Sequence, residues 1–236
     1  QEMTRMNGAW VIDLDIRKYF DTIGWNKLRE ILKLRVRDGV LIRLIGKWMN
    51  AGVMEEARGI FYPEEGVPQG GVISPLLANI YLHGFDRAFY RDPRGPYQVA
   101  NARLVRYADD LVIVARYIGP RITDWVRDTL EGQLGLALNR DKTRIVKMGS
   151  VGESFDFLGF THFWFRTREG WYMLSRRTSA KRFRRACRAM NKWLRRVWNL
   201  CKTKEWWLIL ASKLRGHYQY YGVSGNSRML KIFRYQ

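Results

Sequence analysis

The 236 residues carry 42 Lys and Arg against 22 Asp and Glu, a net charge of +20, and 47% of them are hydrophobic. That size and apolar content supply a real core, as one large domain or two smaller ones. Two cysteines, Cys187 and Cys201, exclude a disulfide framework and a zinc pattern, and no apolar run approaches the length of a membrane span.

The segment AWVIDLDI (9–16) alternates, with Val11, Asp13 and Asp15 on one face and Ile12, Leu14 and Ile16 on the other. It predicts a strand with one acidic edge. Helical spacing follows over about 25–36 and about 38–50, the second opened by Asp38 as an N-cap. GIFYPEEGVPQGG (59–71) reads as loop, punctuated by Pro and Gly. The next stretch, VISPLLANIYLHGFDRAFY, has helical spacing, with Ser74 as a cap and Pro75 at the first helical position. Two apolar runs, 103–108 and 111–117, have only Asp109 and Asp110 between them. They predict a hairpin whose two-residue loop presents both carboxylates at a strand tip.

A helix is expected at about 121–134, then turn and strand within 136–148, then a second hairpin from 154–165 and 171–175. Helices at about 179–199, 204–221 and from 226 complete the pattern. The first 175 residues thus mix strands and helices as an α+β domain does, and the last 60 or so are helical. From Ser175 to Gln236 there are 17 Lys/Arg and a single acid, Glu205, so +16 of the +20 lies there. An aromatic-rich basic block without interleaved acids points to a polyanion, most simply nucleic acid.

If the 103–117 hairpin packs beside the first strand, Asp15, Asp109 and Asp110 converge. Like charges so close need a counter-charge. Hard divalent cations with oxygen ligands supply it, and two such ions about 3.5–4 Å apart support phosphoryl transfer. Taken singly, an Asp pair in a turn is ordinary turn chemistry. Gln69 lies in a loop where Gly70 and Gly71 allow close approach of backbone to a ligand.

Six segments, in order along the chain, carry a family resemblance. RYADDLVIV (106–114) resembles the YxDD signature of reverse transcriptases, and DLDIRKYFD (13–21) their first catalytic motif. GVPQGGVISPLLANIYL (66–82) is similar to the PQG motif of bacterial group II intron reverse transcriptase/maturases. GLALNRDKTRIV (135–146) resembles the lysine-containing fourth motif, FDFLGF (155–160) the primer grip, and KLRGHYQYYGVSGNSRMLKIF (213–233) the thumb or maturase region.

The resemblance implies a right-hand polymerase. A palm with a remnant of the fingers spans 1–175, and a truncated, helical, basic thumb spans 176–236. It implies RNA-directed DNA synthesis from deoxynucleoside triphosphates onto a DNA or RNA primer, on an intron RNA template, with a role in binding and splicing that RNA. Asp15, Asp109, Asp110 and the Ile16 carbonyl would hold two Mg²⁺, with Mn²⁺ as a substitute. Phe20 would exclude a 2′-hydroxyl. Gln69, Gly70 and Lys142 would meet the incoming nucleotide, and Phe157, Leu158 and Gly159 the primer end. Lys181, Arg182, Arg184, Arg185, Arg188 and Lys192 would meet the phosphates of an A-form duplex, which is read by shape.

The implied location is the bacterial cytoplasm, on nucleoid or ribonucleoprotein, with no membrane partner. Against the family pattern, the first part of the fingers and the end of the thumb are missing. The chain therefore reads as a fragment or a short relative, whose open side exposes apolar surface and favours self-association. Two other readings stay open: a splicing factor that leaves its polymerase unused, and a domesticated enzyme such as one linked to CRISPR adaptation.

Overall fold

The fold comes from a computed structural model that describes residues 9–50, 53–55, 59–61, 65–149, 152–198 and 203–235. Cys201 lies outside them. Two compact units divide the chain, Gln1–Lys147 and Met148–Gln236. The α+β class expected from the sequence holds: antiparallel sheets are combined with helices.

The first unit runs β1 (Ala9–Leu14), a 3₁₀ turn (Tyr19–Asp21), α1 (Trp25–Lys33), α2 (Gly39–Met49), β2 (Val53–Glu55), β3 (Gly59–Phe61) and α3 (Ser74–Arg91). There follow α4 (Pro96–Ala100), β4 (Arg103–Tyr107), β5 (Asp110–Ala115), α5 (Pro120–Arg127) with a π-helical turn (Asp128–Gln133), and β6 (Arg144–Met148). The main sheet has the order β4-β5-β1-β6. Its pairing sets Ile12 against Ile113 and Leu14 against Leu111, and all four are buried. Helix α3 contributes Leu77, Tyr81, Phe85 and Phe89 to the same core, one residue every four, so a single apolar stripe is buried. Asp38 caps α2 as expected, its carboxylate accepting from the N–H groups of Val40 (2.7 Å) and Leu41 (3.2 Å).

Four local expectations are corrected. Residues 59–61 form a strand paired with 53–55 rather than loop; three residues are too few to show a period. Ser74 lies inside α3 and does not cap it; its hydroxyl donates to the Pro68 carbonyl at 2.6 Å. The hairpin loop is Ala108–Asp109, because Tyr107 pairs with Asp110, which opens β5. Finally, 154–166 is itself a hairpin, and residues 172–178 add a third strand.

The second unit comprises β7 (Ser154–Phe157), β8 (Phe160–Arg166) and β9 (Tyr172–Thr178), then α6 (Ala180–Val197), α7 (Thr203–Tyr221) and α8 (Ser227–Tyr235). Leu158 and Gly159 make the β7–β8 turn with positive φ at both, 49° and 80°, the geometry that fits the strand twist of a tight hairpin. Fully buried Asn226 links the sheet to the helices. Its amide oxygen accepts from the Thr178 N–H, and its amide nitrogen donates to the Thr178 hydroxyl and the Tyr221 carbonyl, all at 2.8 Å.

Two histidines pack against aromatic rings in this unit. His162 stacks on Phe155, with centroids 5.1 Å apart, and His217 on Phe233 at 3.9 Å. Burial pushes both below the ordinary value of 6.5, and for His162 the nearby Arg176 adds to the push against Asp156. A depressed histidine favours the fold above the unfolded value and opposes it below, where the unfolded chain binds more protons. We expect the urea midpoint of the second unit to fall as pH drops through about 6.5, and His162→Gln/His217→Gln to flatten that fall; near-ultraviolet dichroism at pH 5.5 and 7.5 measures it.

Candidate functional site

The β1–β5 register positions the acidic residues. Leu14 opposite Leu111 ends the β1–β5 pairing, so Asp15, which follows Leu14, and Asp110, which precedes Leu111, lie at one end of the sheet with the Ala108–Asp109 turn. A cleft there is lined by Asp15, Ile16, Arg17, Lys18, Tyr19, Phe20, Gln69, Asp109, Asn139 and Lys142. The structure thus brings together Asp15, Ile16, Phe20, Gln69, Asp109 and Lys142. Asp110 opens β5 with an exposed side chain. Among the described residues, no group of three or more Asp, Glu, His or Cys side chains is gathered as a metal ligand set.

Asp15 is held from one segment. Ile16 bridges Leu138, Arg17 N–H donates to the Ala137 carbonyl and Asn139 N–H to the Asp15 carbonyl, both at 2.8 Å. On the side chain, Asn139 Nδ2 donates to Asp15 Oδ2 at 3.0 Å, and the exposed Lys142 ammonium lies 3.5 Å from the same oxygen. Asn139 was not apparent from the sequence. Its only signal is its place three residues before Lys142.

Beyond Asp15 the chain turns sharply at Lys18, which is in the left-handed region (φ 45°). The turn sends the two neighbouring aromatics apart. Tyr19 enters the core and donates its hydroxyl to the Ala78 carbonyl; burial pushes its phenol far above the ordinary range, against the pull of Arg106. Phe20 stays half-buried at the cleft, edge-on to the Tyr19 ring at 5.5 Å.

The Gln69 loop is fastened beneath Phe20. Val67 N–H donates to the Phe20 carbonyl at 2.7 Å and Gly66 N–H to the Ile23 carbonyl at 2.9 Å. Gln69 Nε2 reaches Asp21 Oδ1 at 3.3 Å. Gly66 has φ +84°, and a Cβ there would lie 2.7 Å from the carbonyl oxygens of both Phe20 and Asp21. Gly70 also has positive φ (+89°), with open space around it.

Arg106 is the second residue missed. Its guanidinium meets Asp86 through Nε (2.9 and 3.1 Å) and Nη2 (2.6 Å), and through Nη1 meets Asn79 Oδ1 at 2.8 Å and the Ala108 carbonyl at 3.1 Å. The available signal was a charge two residues from Leu104, and so on the same face of the strand.

In the second unit, Phe157 ends β7 and Leu158–Gly159 turn. The Leu158 carbonyl accepts from the Tyr220 hydroxyl at 2.9 Å, and the Gly159 carbonyl from Ser179 N–H at 2.9 Å. Tyr220 also stacks on Phe160, centroids 5.8 Å apart. Helix α6 buries no residue fully. Lys181, Arg182, Arg184, Arg185, Arg188 and Lys192 are all exposed along it, and Phe183, Cys187, Met190 and Trp193 are half-buried.

A family model described as reverse transcriptase (RNA-dependent DNA polymerase) matches residues 2–162. Protein YkfC of Escherichia coli K12 is 35% identical over 181 residues, covering 64% of this chain and 46% of that protein. The group II intron-encoded protein LtrA of Lactococcus lactis subsp. cremoris is 40% identical over 78 residues, covering 33% of this chain and 13% of that one. The chain thus spans less than half the length of these relatives. Apo telomerase from Candida tropicalis, truncated from its C-terminal domain, shares the fold at a TM-score of 0.52 and 17% identity, over 65% of this chain and 34% of that one.

The Gly66 geometry is directly testable. Gly66→Ala forces a β-carbon into two carbonyls at positive φ, and a residue held in that region costs about 1–3 kcal/mol. We expect a lower melting temperature and faster amide exchange over 66–71, with the 103–115 hairpin unchanged.

Proposed function

This chain belongs to the reverse transcriptase (RNA-dependent DNA polymerase) family, and from that premise we propose that it adds deoxynucleotides to a primer 3′-hydroxyl on an RNA template, as a polymerase of group II intron type. One observation carries the reading: Asp15 and Asp109, distant in sequence, line one cleft with Phe20, Gln69 and Lys142. The palm extends over 1–175 with a remnant of the fingers, and the thumb over 176–236.

The donor set fits Mg²⁺, which takes one or two carboxylates and completes its shell with water and substrate phosphates. Asp15, Asp109 and Asp110, with the Ile16 carbonyl, would hold two such ions, or Mn²⁺ in their place. When bound, they would lower the pKa of the primer hydroxyl and neutralise charge on the transferring phosphate. The new bond joins the primer 3′-oxygen to the α-phosphorus, and the α–β linkage breaks to release pyrophosphate. Lys142 neutralises Asp15 while no cation is near; its exposed stem lets the ammonium turn to the charge on the leaving pyrophosphate. Phe20 forms a wall under the sugar with no room for a 2′-hydroxyl, and Gln69 and Gly70 line the nucleotide.

In the second unit, the Phe157–Gly159 turn supports the primer end. The exposed face of α6 contacts phosphates of an A-form duplex. The relatives named as group II intron-encoded proteins, and the nuclear intron maturase 4 of Arabidopsis thaliana, favour intron RNA as the template and as the RNA bound in splicing. Among the described residues no helix is long and apolar enough to cross a membrane.

Primer extension on an RNA template with Mg²⁺ tests this. Asp15→Asn or Asp109→Asn should lower the rate by about 10²–10³-fold, the loss of several kcal/mol of charge stabilisation, with duplex affinity retained. Phe20→Ala should admit ribonucleotides. Extension unchanged by both carboxylate variants sinks the polymerase reading. RNA affinity without extension under any condition supports the splicing-factor reading instead.

The thumb assignment has its own measurement. Replacing Lys181 and Arg185 by Gln should weaken duplex binding uniformly across sequences, and reduce the slope of log affinity against log salt by about 1 for each contact removed.

A further inference from the structure

We propose that Arg106 is a positioning residue for the acidic turn: by clamping the Ala108 carbonyl to α3, it sets the direction in which Asp109 presents its carboxylate to the cleft. The inference rests on the reading of Asp109 as a metal-holding residue.

The turn has only two residues, and the first, Ala108, sits at φ +54°, a region that a residue with a β-carbon seldom adopts unless its surroundings hold it there. The hold is visible. Arg106 Nη1 donates to the Ala108 carbonyl at 3.1 Å. That carbonyl shares a rigid peptide plane with the N–H of Asp109, so fixing it fixes the plane from which the Asp109 side chain departs.

The guanidinium is held on its other sides as well. Asp86 receives Nε and Nη2, and Asn79 Oδ1 receives Nη1 at 2.8 Å. Asn79 is itself oriented, its amide nitrogen donating to the Pro75 carbonyl at 2.9 Å. Arg106 and Asp86 are largely withdrawn from water, with side-chain exposures of 16% and 23%, so solvent screens the pair little.

Asn79 and Asp86 lie seven residues apart, on one face of α3. The same helix receives the Tyr19 hydroxyl at Ala78 and ties down the nucleotide loop through Ser74 and Pro68. One rigid element therefore references the acidic turn, the aromatic turn and the Gln69 loop to each other. A lysine at 106 has the charge, but its three donors radiate from one nitrogen and lack the planar fork that meets Asp86 on one side and Asn79 and Ala108 on the other.

The test uses the full chain, with Mn²⁺ as the probe. Mn²⁺ binding is followed by paramagnetic resonance, and the Mg²⁺ requirement by primer extension, at a temperature where dichroism shows each variant folded. For Arg106→Lys we expect the apparent Kd for Mn²⁺ and the half-saturating Mg²⁺ for extension each to rise about tenfold, with the KM for deoxynucleotide within about twofold. Asn79→Ala keeps the ion pair and removes one tether; it should move both quantities the same way by about threefold, and it carries the test if Arg106→Lys does not fold. A purely structural role would lower the melting temperature and leave Mn²⁺ affinity unmoved, which overturns the proposal. Asp109→Asn separates the two ideas. If it leaves Mn²⁺ binding unchanged, the metal reading of the turn fails; if it abolishes binding while Arg106→Lys and Asn79→Ala match the unmutated chain, only the positioning role fails.

Discussion

The antiparallel pairing of β1 with β5 is the constraint on which the candidate site depends. A one-residue slip in that register would separate Ile12 and Leu14 from Leu111 and Ile113 in the core cluster they share, because alternate residues face opposite sides of a sheet. Burial of these four side chains therefore sets the register, and the register sets which residues meet at the strand ends. Asp15 directly follows Leu14 and Asp110 directly precedes Leu111, so burial of that apolar pair brings both acidic residues to one end of the sheet. An acidic site is positioned by its hydrophobic neighbours.

Support around that end of the sheet comes from unusual backbone as well as from packing. Among the described residues, Lys18, Asn101, Ala108 and Leu158 are the non-glycine positions with positive φ. Three of the four stand where function is proposed: before Phe20, before Asp109, and in the turn after Phe157. Such conformations persist where surrounding contacts over-determine them. Those contacts are present at each: Tyr19 anchored at Ala78, Arg106 on Ala108, and Tyr220 on the Leu158 carbonyl.

The two units divide the physical work differently. The first buries a stripe of α3 against its sheet and lines its cleft with charges of both signs, Asp15 and Asp109 beside Arg17, Lys18 and Lys142. The second has a helix, α6, with no fully buried residue and a row of exposed cations. That helix keeps its basic face exposed to solvent, and Phe183, Cys187, Met190 and Trp193 are half-buried along it.

Much of the fold was legible in the sequence because its signals are local. The alternation at 9–16, the helical spacing after Gly71, the Asp38 cap and the basic helices each lie within one stretch of chain, and each is found in the structure. The family motifs are local strings too. What the sequence could not decide depends on partners far along the chain. The loop of the β4–β5 hairpin moved by one residue because strand pairing, not composition, chooses which residues turn. Ser74 became a tether to Pro68 rather than a cap. Asn139 and Asp15 are 124 residues apart, and Arg106 and Asp86 are 20 apart; no periodicity links such pairs. The sequence by itself determined the elements, the acidic residues and the placement of charge, since these follow from side-chain period and identity. Only the tertiary structure decided which oxygens face one cleft and what holds them there, because hydrogen bonds between distant segments exist only once the core has brought the segments together.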